Sequence, residues 1–133
     1  MVQTVEKATA IRVLVVDDER EIRDLLSDFL EGAGFEVAVA KTGNEALTQA
    51  KEFSPNLILL DIILPDLDGI SVYESLRQTR AMSRIPVVFF SALAENMPPA
   101  FSRRAGLTSF SLIPKPVSTH LLIKEIKRLL EPV

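Results

Sequence analysis

The sequence has no cysteine among its 133 residues. It therefore contains neither a disulfide framework nor a metal site built from thiolates, which is compatible with a reducing compartment. No apolar run approaches the ~20 residues that span a membrane, and residues 1–10 lack the apolar segment of a signal peptide. We therefore expect a cytoplasmic protein that makes no membrane contact.

The chain also has only one histidine and no excess of positive charge. The only histidine, His120, falls at the start of a predicted helix, where we expect a solvent-exposed residue and not a phosphate carrier. The formal net charge of −3 does not favour binding to bulk nucleic acid, so we expect no direct contact with it. We interpret the basic clusters Arg103-Arg104 and Lys124/Lys127/Arg128 as solvated faces.

The length of the chain suits one domain, and its hydrophobic pattern alternates between short apolar runs and amphipathic segments. The apolar runs predict strands at residues 13–16, 35–40, 57–60, 85–90 and 110–113. The amphipathic segments predict helices at residues 19–31, 42–53, 69–80 and 119–131, with a short helix at 99–105. Five such units predict an α/β fold, a parallel sheet covered by helices on both faces. We expect residues 1–10 to be a flexible tail and residues 11–131 to form the domain.

Polar side chains follow four of the predicted strands. Asp17-Asp18 comes after the first strand, Asp61 after the third, Ser91 after the fourth and Lys115 after the fifth. Because ligands of open parallel sheets bind at the carboxyl ends of the strands, we expect these side chains to lie close together. Carboxylates that share a pocket repel each other unless a cation fills it.

An oxygen-rich pocket of this kind suits Mg²⁺. Asp18 and Asp61 could each provide one oxygen, and the backbone carbonyl of Ile63 could provide another. Asp17 could hold a metal-bound water.

The same pocket suits phosphoryl chemistry. Attack by Asp61 on phosphorus would form an aspartyl phosphate. Lys115 provides a cation for a phosphoryl oxygen, and the Ser91 hydroxyl can donate to another.

Taken one at a time, these residues have simpler interpretations. Asp17-Asp18 could cap the following helix, and Ser91 could be an ordinary loop hydroxyl. Asp66 and Asp68 fit a turn and a helix cap, with Asp68 leading the third helix. Lys115, between two prolines, could be a surface lysine in a rigid turn. The joint pattern, and no single residue, favours a functional site.

The chain resembles the receiver domains of bacterial two-component response regulators. The matching stretches are VLVVDDE at residues 13–19, LLDIILPDLDG at 59–69, PVVFFSA at 86–92 and KP at 115–116. The similarity covers about residues 11–130. It implies a flavodoxin-like (βα)5 fold, a doubly wound parallel sheet with strand order 2-1-3-4-5.

The resemblance also implies a function. Asp61 would accept a phosphoryl group from the phosphohistidine of a sensor histidine kinase or of a histidine phosphotransfer protein, with Mg²⁺ bound near Asp17, Asp18 and Asp61. Ser91 would be the switch hydroxyl and Lys115 the lysine that pairs with the phosphate. The conformation of the phosphorylated domain would change, and the face formed by the fourth helix, fifth strand and fifth helix would then contact a partner, an output domain or a second copy of the chain.

The carboxyl-terminal third departs from the family pattern. Ser91 and Lys115 are 24 residues apart, about two more than usual. Leu112 stands where the family has its switch aromatic, and Phe110, on the same strand face, is the alternative. Ile63 and Leu93 are apolar at positions that tune phosphate lifetime in the family, which predicts a long-lived phosphate because neither side chain can position water.

The residues leave two other functions open. A Mg²⁺-dependent phosphotransferase or phosphatase usually has a second acid two residues after its nucleophile, and Ile63 occupies that position, so general acid catalysis is missing. A degenerate receiver would act as a phosphate-independent interaction or dimerisation module. The chain ends soon after its last predicted helix, which fits both a stand-alone regulator and one domain of a longer protein.

Overall fold

A computed structural model describes residues 10–91, 110–116 and 118–130 of the chain. Five strands form one parallel sheet in the order β2-β1-β3-β4-β5. The described elements are β1 (Arg12–Val16), α1 (Arg20–Gly32), β2 (Glu36–Ala40), α2 (Gly43–Phe53), β3 (Leu57–Asp61), α3 (Gly69–Gln78), β4 (Val87–Ser91), β5 (Phe110–Pro114) and α4 (Thr119–Leu130).

The predicted fold and strand order are confirmed, and each of these elements begins and ends within two residues of its prediction. β4 begins one residue after Pro86, which has no N–H to donate to the sheet. The helix predicted at residues 99–105, the tail at residues 1–9, Arg103-Arg104 and Leu93 lie outside the described residues. The last described helix, α4, corresponds to the fifth helix predicted from the sequence.

The sheet separates two apolar cores. On one face, α2 and α3 cover a cluster that includes Leu14, Leu60 and Phe89. On the other face, α1 and α4 cover a cluster that includes Val15, Leu59 and Phe90. β1, β3 and β4 are therefore buried on both faces, which explains why they are nearly continuous apolar runs in the sequence.

Local capping fixes where α2 and α3 begin. Thr42 Oγ1 accepts a hydrogen bond from Glu45 N at 3.0 Å, and Asp68 Oδ1 accepts one from Ser71 N at 2.8 Å, so Thr42 caps α2 and the predicted Asp68 cap of the third helix is confirmed. The interpretation of Asp66 as a turn residue is incomplete. Its carboxylate accepts from Gly43 N at 2.7 Å and from Asn44 N at 2.9 Å, which caps α2 from a distant loop.

Among the described residues, no helix has the length and apolar character required to cross a membrane.

Candidate functional site

The carboxyl edge of the sheet brings the predicted polar residues together. Asp17 directly follows β1, Asp61 and Ser91 end β3 and β4, and Lys115 directly follows β5. The backbone continues the sheet pattern past the strand ends, because Asp17 N donates to Ala40 O at 3.1 Å and Lys115 N donates to Ser91 O at 3.0 Å. These main-chain hydrogen bonds hold the functional side chains in register with one another.

The Lys115 ammonium lies at the centre of the site. Its Nζ atom is 2.8 Å from Asp17 Oδ2, 3.1 Å from Asp61 Oδ2 and 3.3 Å from Glu19 Oε1. Only 14% of the lysine side chain is exposed, which rules out the alternative of a surface lysine in a turn. Asp17 and Asp61 are buried, whereas Glu19 is exposed. Three carboxylates therefore share one cation.

The electrostatics of the pocket disfavour a fully ionised acid cluster. Burial raises the pKa of Asp61 to about 6, and the nearby Asp17 charge adds to that effect, against the opposing influence of Lys115 and the Ile63 N–H. Burial lowers the pKa of Lys115, but its hydrogen bonds and attraction to Asp17 and Asp61 outweigh burial and raise the pKa above its ordinary value. The lysine remains charged, and one ammonium does not neutralise three carboxylates.

A cavity of about 270 Å³ opens beside this cluster. It is lined by Asp18, Glu19, Asp61, Ile63, Ser91 and Lys115. Carboxylate oxygens of Asp17, Asp18 and Glu19 lie within 4.8 Å of one another. The donors around the cavity are hard oxygen atoms with excess negative charge, and this chemistry fits Mg²⁺.

The sequence does not identify Glu19 as a member of the pocket, because its helical periodicity places this residue at the start of the first helix. It is the N-cap residue of α1, and its side chain makes no capping hydrogen bond. Its backbone N–H instead donates to Asp17 Oδ1 at 2.8 Å. The run of three acids after β1 was the available signal, since all three residues precede the helix.

The remaining predicted residues are placed as follows. Leu112 is half-buried and packs on the core covered by α2 and α3, and the Phe110 side chain lies outside the described part of the chain. His120 is exposed, as predicted. The Ile63 side chain is 54% exposed at the mouth of the cavity.

A second groove, of about 430 Å³, lies at the opposite edge of the sheet. Its lining includes Ala50, Pro55, Met82 and Ile85. None of the residues predicted for phosphoryl chemistry contributes to it.

A doubly wound parallel sheet with acids and a buried lysine at its carboxyl edge defines the class of flavodoxin-like phosphoacceptor domains. The family model described as "Response regulator receiver domain" matches residues 13–127. The chain belongs to this family, and the resemblance stated from the sequence is confirmed.

Curated relatives include full-length regulators. The chain is 34% identical over 116 residues to the DNA-binding response regulator MtrA of Mycobacterium tuberculosis, which covers 87% of this chain and 49% of MtrA. It is 38% identical over 119 residues to the CpxR homolog of Haemophilus influenzae, covering 90% of this chain and 50% of that protein. The chain thus spans about half the length of these curated relatives.

Solved structures agree on the fold. The Vibrio cholerae chemotaxis protein CheY4 has a TM-score of 0.82 and 27% identity, covering 92% of this chain and 100% of CheY4. A signal receiver domain of a histidine kinase from Syntrophus aciditrophicus has a TM-score of 0.78 and 28% identity, covering 91% of this chain and 90% of that one. The chain is therefore a phosphorylatable signalling receiver of the two-component type, as predicted, and the degenerate alternative is not favoured.

Proposed function

We propose that Asp61 is the phosphoacceptor and that its donor is the phosphohistidine of a sensor histidine kinase or of a histidine phosphotransfer protein. The observation that carries the proposal is the position of Asp61 Oδ2, 3.1 Å from the Lys115 ammonium on the wall of an open acidic cavity. In the reaction an Asp61 oxygen bonds to phosphorus while the phosphorus–nitrogen bond breaks, and the electron pair returns to the imidazole.

Asp18, Asp61 and the Ile63 carbonyl are the proposed Mg²⁺ ligands, with Asp17 holding a bound water. Receiver domains generally use Mg²⁺ at such an acidic cluster. When bound, the ion neutralises charge that develops on the transferred group. Asp17 is fully buried and 2.8 Å from Lys115, so its carboxylate would have to shift toward the cavity to hold that water.

Lys115 and Ser91 are proposed to hold the transferred group. The three carboxylate contacts of Lys115 must loosen for its ammonium to pair with a phosphoryl oxygen, and the exposed Glu19 is the partner that water replaces at least cost. Ser91 ends β4 at the edge of the same cavity. We expect its hydroxyl to donate to a second phosphoryl oxygen.

The proposed domain is a signalling module and not a turnover enzyme. Ile63 provides no acid or base beside the aspartyl phosphate, so autodephosphorylation is expected to be slow.

We place the domain at residues 11–131, in the cytoplasm. Its downstream contacts would use the face of the fourth predicted helix, fifth strand and last helix, part of which lies outside the described residues. MtrA is named as a DNA-binding regulator and is about twice as long, and we propose that this domain itself does not bind nucleic acid.

Incubation of the chain with Mg²⁺ and acetyl phosphate, followed by intact mass measurement, tests the proposal. The parent should gain the mass of one phosphoryl group, and Asp61→Asn should gain none. Asp24→Asn, a change to an exposed aspartate on α1, is the matched control and should behave like the parent. Donor consumption far beyond one equivalent would indicate a turnover enzyme. A parent that gains no mass would indicate a phosphate-independent module.

A further inference from the structure

Two helices, α1 and α4, cover the same face of the sheet. α1 and α4 both begin at the carboxyl edge of the sheet and both pack on the core that contains Leu26, Leu30, Leu122 and Ile126. They therefore cross this face in the same direction, and their outer surfaces lie on the same side of the sheet.

The outer surface of α1 is acidic. Its exposed residues follow a helical repeat that places them on one stripe, with Leu25 in the middle and 55% exposed. The acids of this acidic stripe are Glu21, Asp24, Asp28 and Glu31, and its one base is Arg20, which pairs with Asp24.

The outer surface of α4 has the opposite charge. Its exposed residues also share one stripe, beside Leu121, which is 37% exposed. The cations of this basic stripe are Lys124, Lys127 and Arg128, and His120 is exposed on the same stripe.

Most of these charges lack a partner within the described part of the chain. Asp24 lies 3.5 Å from Arg20, and Arg128 lies 2.9 Å from Glu125. The charged groups with no ion pair to any other described residue are Glu21, Asp28, Glu31, Lys124 and Lys127. The two stripes are thus complementary in charge, and each has an exposed leucine.

We propose that this face binds a second copy of the chain. A two-fold axis parallel to the helices places α1 of each copy against α4 of the other, so the acid–base pairing occurs twice and the contact closes on itself. The same arrangement covers Leu25 and Leu121. This surface differs from the dimer face implied by the family resemblance, because it uses α1, and it does not depend on phosphorylation of Asp61.

The association is expected to be weak and sensitive to salt. Exposed ion pairs contribute little individually and are screened within about 10 Å at moderate ionic strength. Sedimentation velocity of the full chain at protein concentrations up to about 1 mM should show a monomer–dimer equilibrium in ~20 mM NaCl. Raising NaCl to about 500 mM should increase the dissociation constant about tenfold or more.

Charge-reversed chains identify the face. Glu21→Lys/Asp28→Lys/Glu31→Lys leaves Asp24 as the one acid of its stripe and makes both stripes basic, and Lys124→Glu/Lys127→Glu makes both acidic, so each variant alone should be monomeric. An equimolar mixture should form a heterodimer, because both contacts of the two-fold arrangement are then complementary. Circular dichroism confirms that each variant is folded, and Asp28→Asn and Lys124→Gln provide milder versions if a reversal disturbs the helix.

A parent that stays monomeric at low salt would overturn the proposal. It would equally be overturned if the parent dimerised and the reversed variants dimerised to the same extent alone, because another surface would then form the contact. The proposed function would survive either result, since mass gain at Asp61 is measured separately.

Discussion

At the scale of single residues, burial of the reactive carboxylate of Asp61 lowers the stability of the folded protein. Asp61 is buried beside Asp17, and its pKa rises from 3.8 to about 6. A carboxyl whose pKa is higher in the folded state destabilises the fold once it is ionised. The site therefore destabilises the fold most in the metal-free protein at neutral or alkaline pH, and a bound cation would stabilise the protein most under those conditions.

Asp61→Asn is expected to stabilise the metal-free protein at pH 8. The raised pKa corresponds to a loss of at most ~3 kcal/mol in the free energy of unfolding when Asp61 is ionised. Because solvent at the cavity mouth screens the charge, we expect the variant to gain about 1–2 kcal/mol. The gain should be complete above pH about 6 and disappear below pH about 4, because Asp61 protonates first in the folded state. Urea unfolding at pH 8 and pH 5, with Asp24→Asn as control, measures it. Equal stability of variant and parent at pH 8 would contradict the expectation.

Glu19→Gln is expected to accelerate phosphorylation by acetyl phosphate at saturating Mg²⁺. The change removes one carboxylate that competes for Lys115 and repels the incoming anion. Because Glu19 is exposed, the expected gain is about two- to fivefold, the equivalent of ~0.5–1 kcal/mol. Rates from intact mass at several Mg²⁺ concentrations separate this effect from altered metal affinity. An unchanged or slower rate at saturating Mg²⁺ would show that Glu19 does not restrain the lysine.

Ile63→Asn is expected to shorten the lifetime of the aspartyl phosphate. The Ile63 side chain stands at the cavity mouth and cannot hydrogen-bond water, whereas an amide can position one for attack. A general base contributes about 10²–10⁴-fold, and we expect an amide that only orients water to contribute roughly tenfold. Decay of the phosphorylated mass after donor removal measures the lifetime, with Ile63→Val as the control that keeps the position apolar. Equal decay of both variants would exclude this role.

At the scale of secondary-structure elements, close backbone contacts fix the loop that carries Asp61. The N–H of Gly69, the first residue of α3, donates to Ile62 O at 2.6 Å. A Cβ at Gly69 would collide with the Asp61 carbonyl oxygen and with Ile62 Cα. The start of α3 therefore packs directly against the backbone of the proposed phosphoacceptor, and glycine is required there.

Gly69→Ala is expected to destabilise the protein by about 1–3 kcal/mol, the usual cost of forcing an added carbon into a packed site. Gly32→Ala is the matched control, because a Cβ there meets no atom within 4 Å. That variant should be neutral or more stable by up to about 1 kcal/mol. Urea unfolding midpoints compare the two variants. A Gly69→Ala variant as stable as Gly32→Ala would mean that the loop readily moves away.

The start of α2 shows how an element can depend on a distant residue. Backbone N–H groups of Asn44 and Gly43 donate to Asp66 and lower the pKa of that carboxyl. Thr42 provides the other cap of this helix. The loop between β3 and α3 thus fixes α2 as well as the Asp61 region.

At the scale of the whole molecule, Mg²⁺ is expected to stabilise the folded chain, because the proposed ligands come from separate strands and meet only in the native state. Ligand at about 100 times its dissociation constant contributes ~2.7 kcal/mol, or roughly 5–10 °C in Tm for a domain of this size. Differential scanning calorimetry with and without Mg²⁺ measures the shift. The shift should persist in Asp24→Asn and disappear in Asp18→Asn/Asp61→Asn. An equal shift in the double variant would place the ion elsewhere.

The sequence alone determined the order of strands and helices and the chemistry at the sheet edge. Buried parallel strands need continuous apolar runs, and the carboxyl ends of such strands share one edge. The sequence therefore predicts that Asp17, Asp61, Ser91 and Lys115 lie close together.

Tertiary structure alone decided how these groups are arranged. The three carboxylates around Lys115, the capping of α2 by Asp66 and the two oppositely charged stripes on α1 and α4 are contacts or alignments between segments far apart in the chain. Periodicity reports which face of an element is apolar. It does not report which side chains contact each other, or which distant loop accepts a hydrogen bond from a given backbone N–H. Those contacts follow from packing in three dimensions.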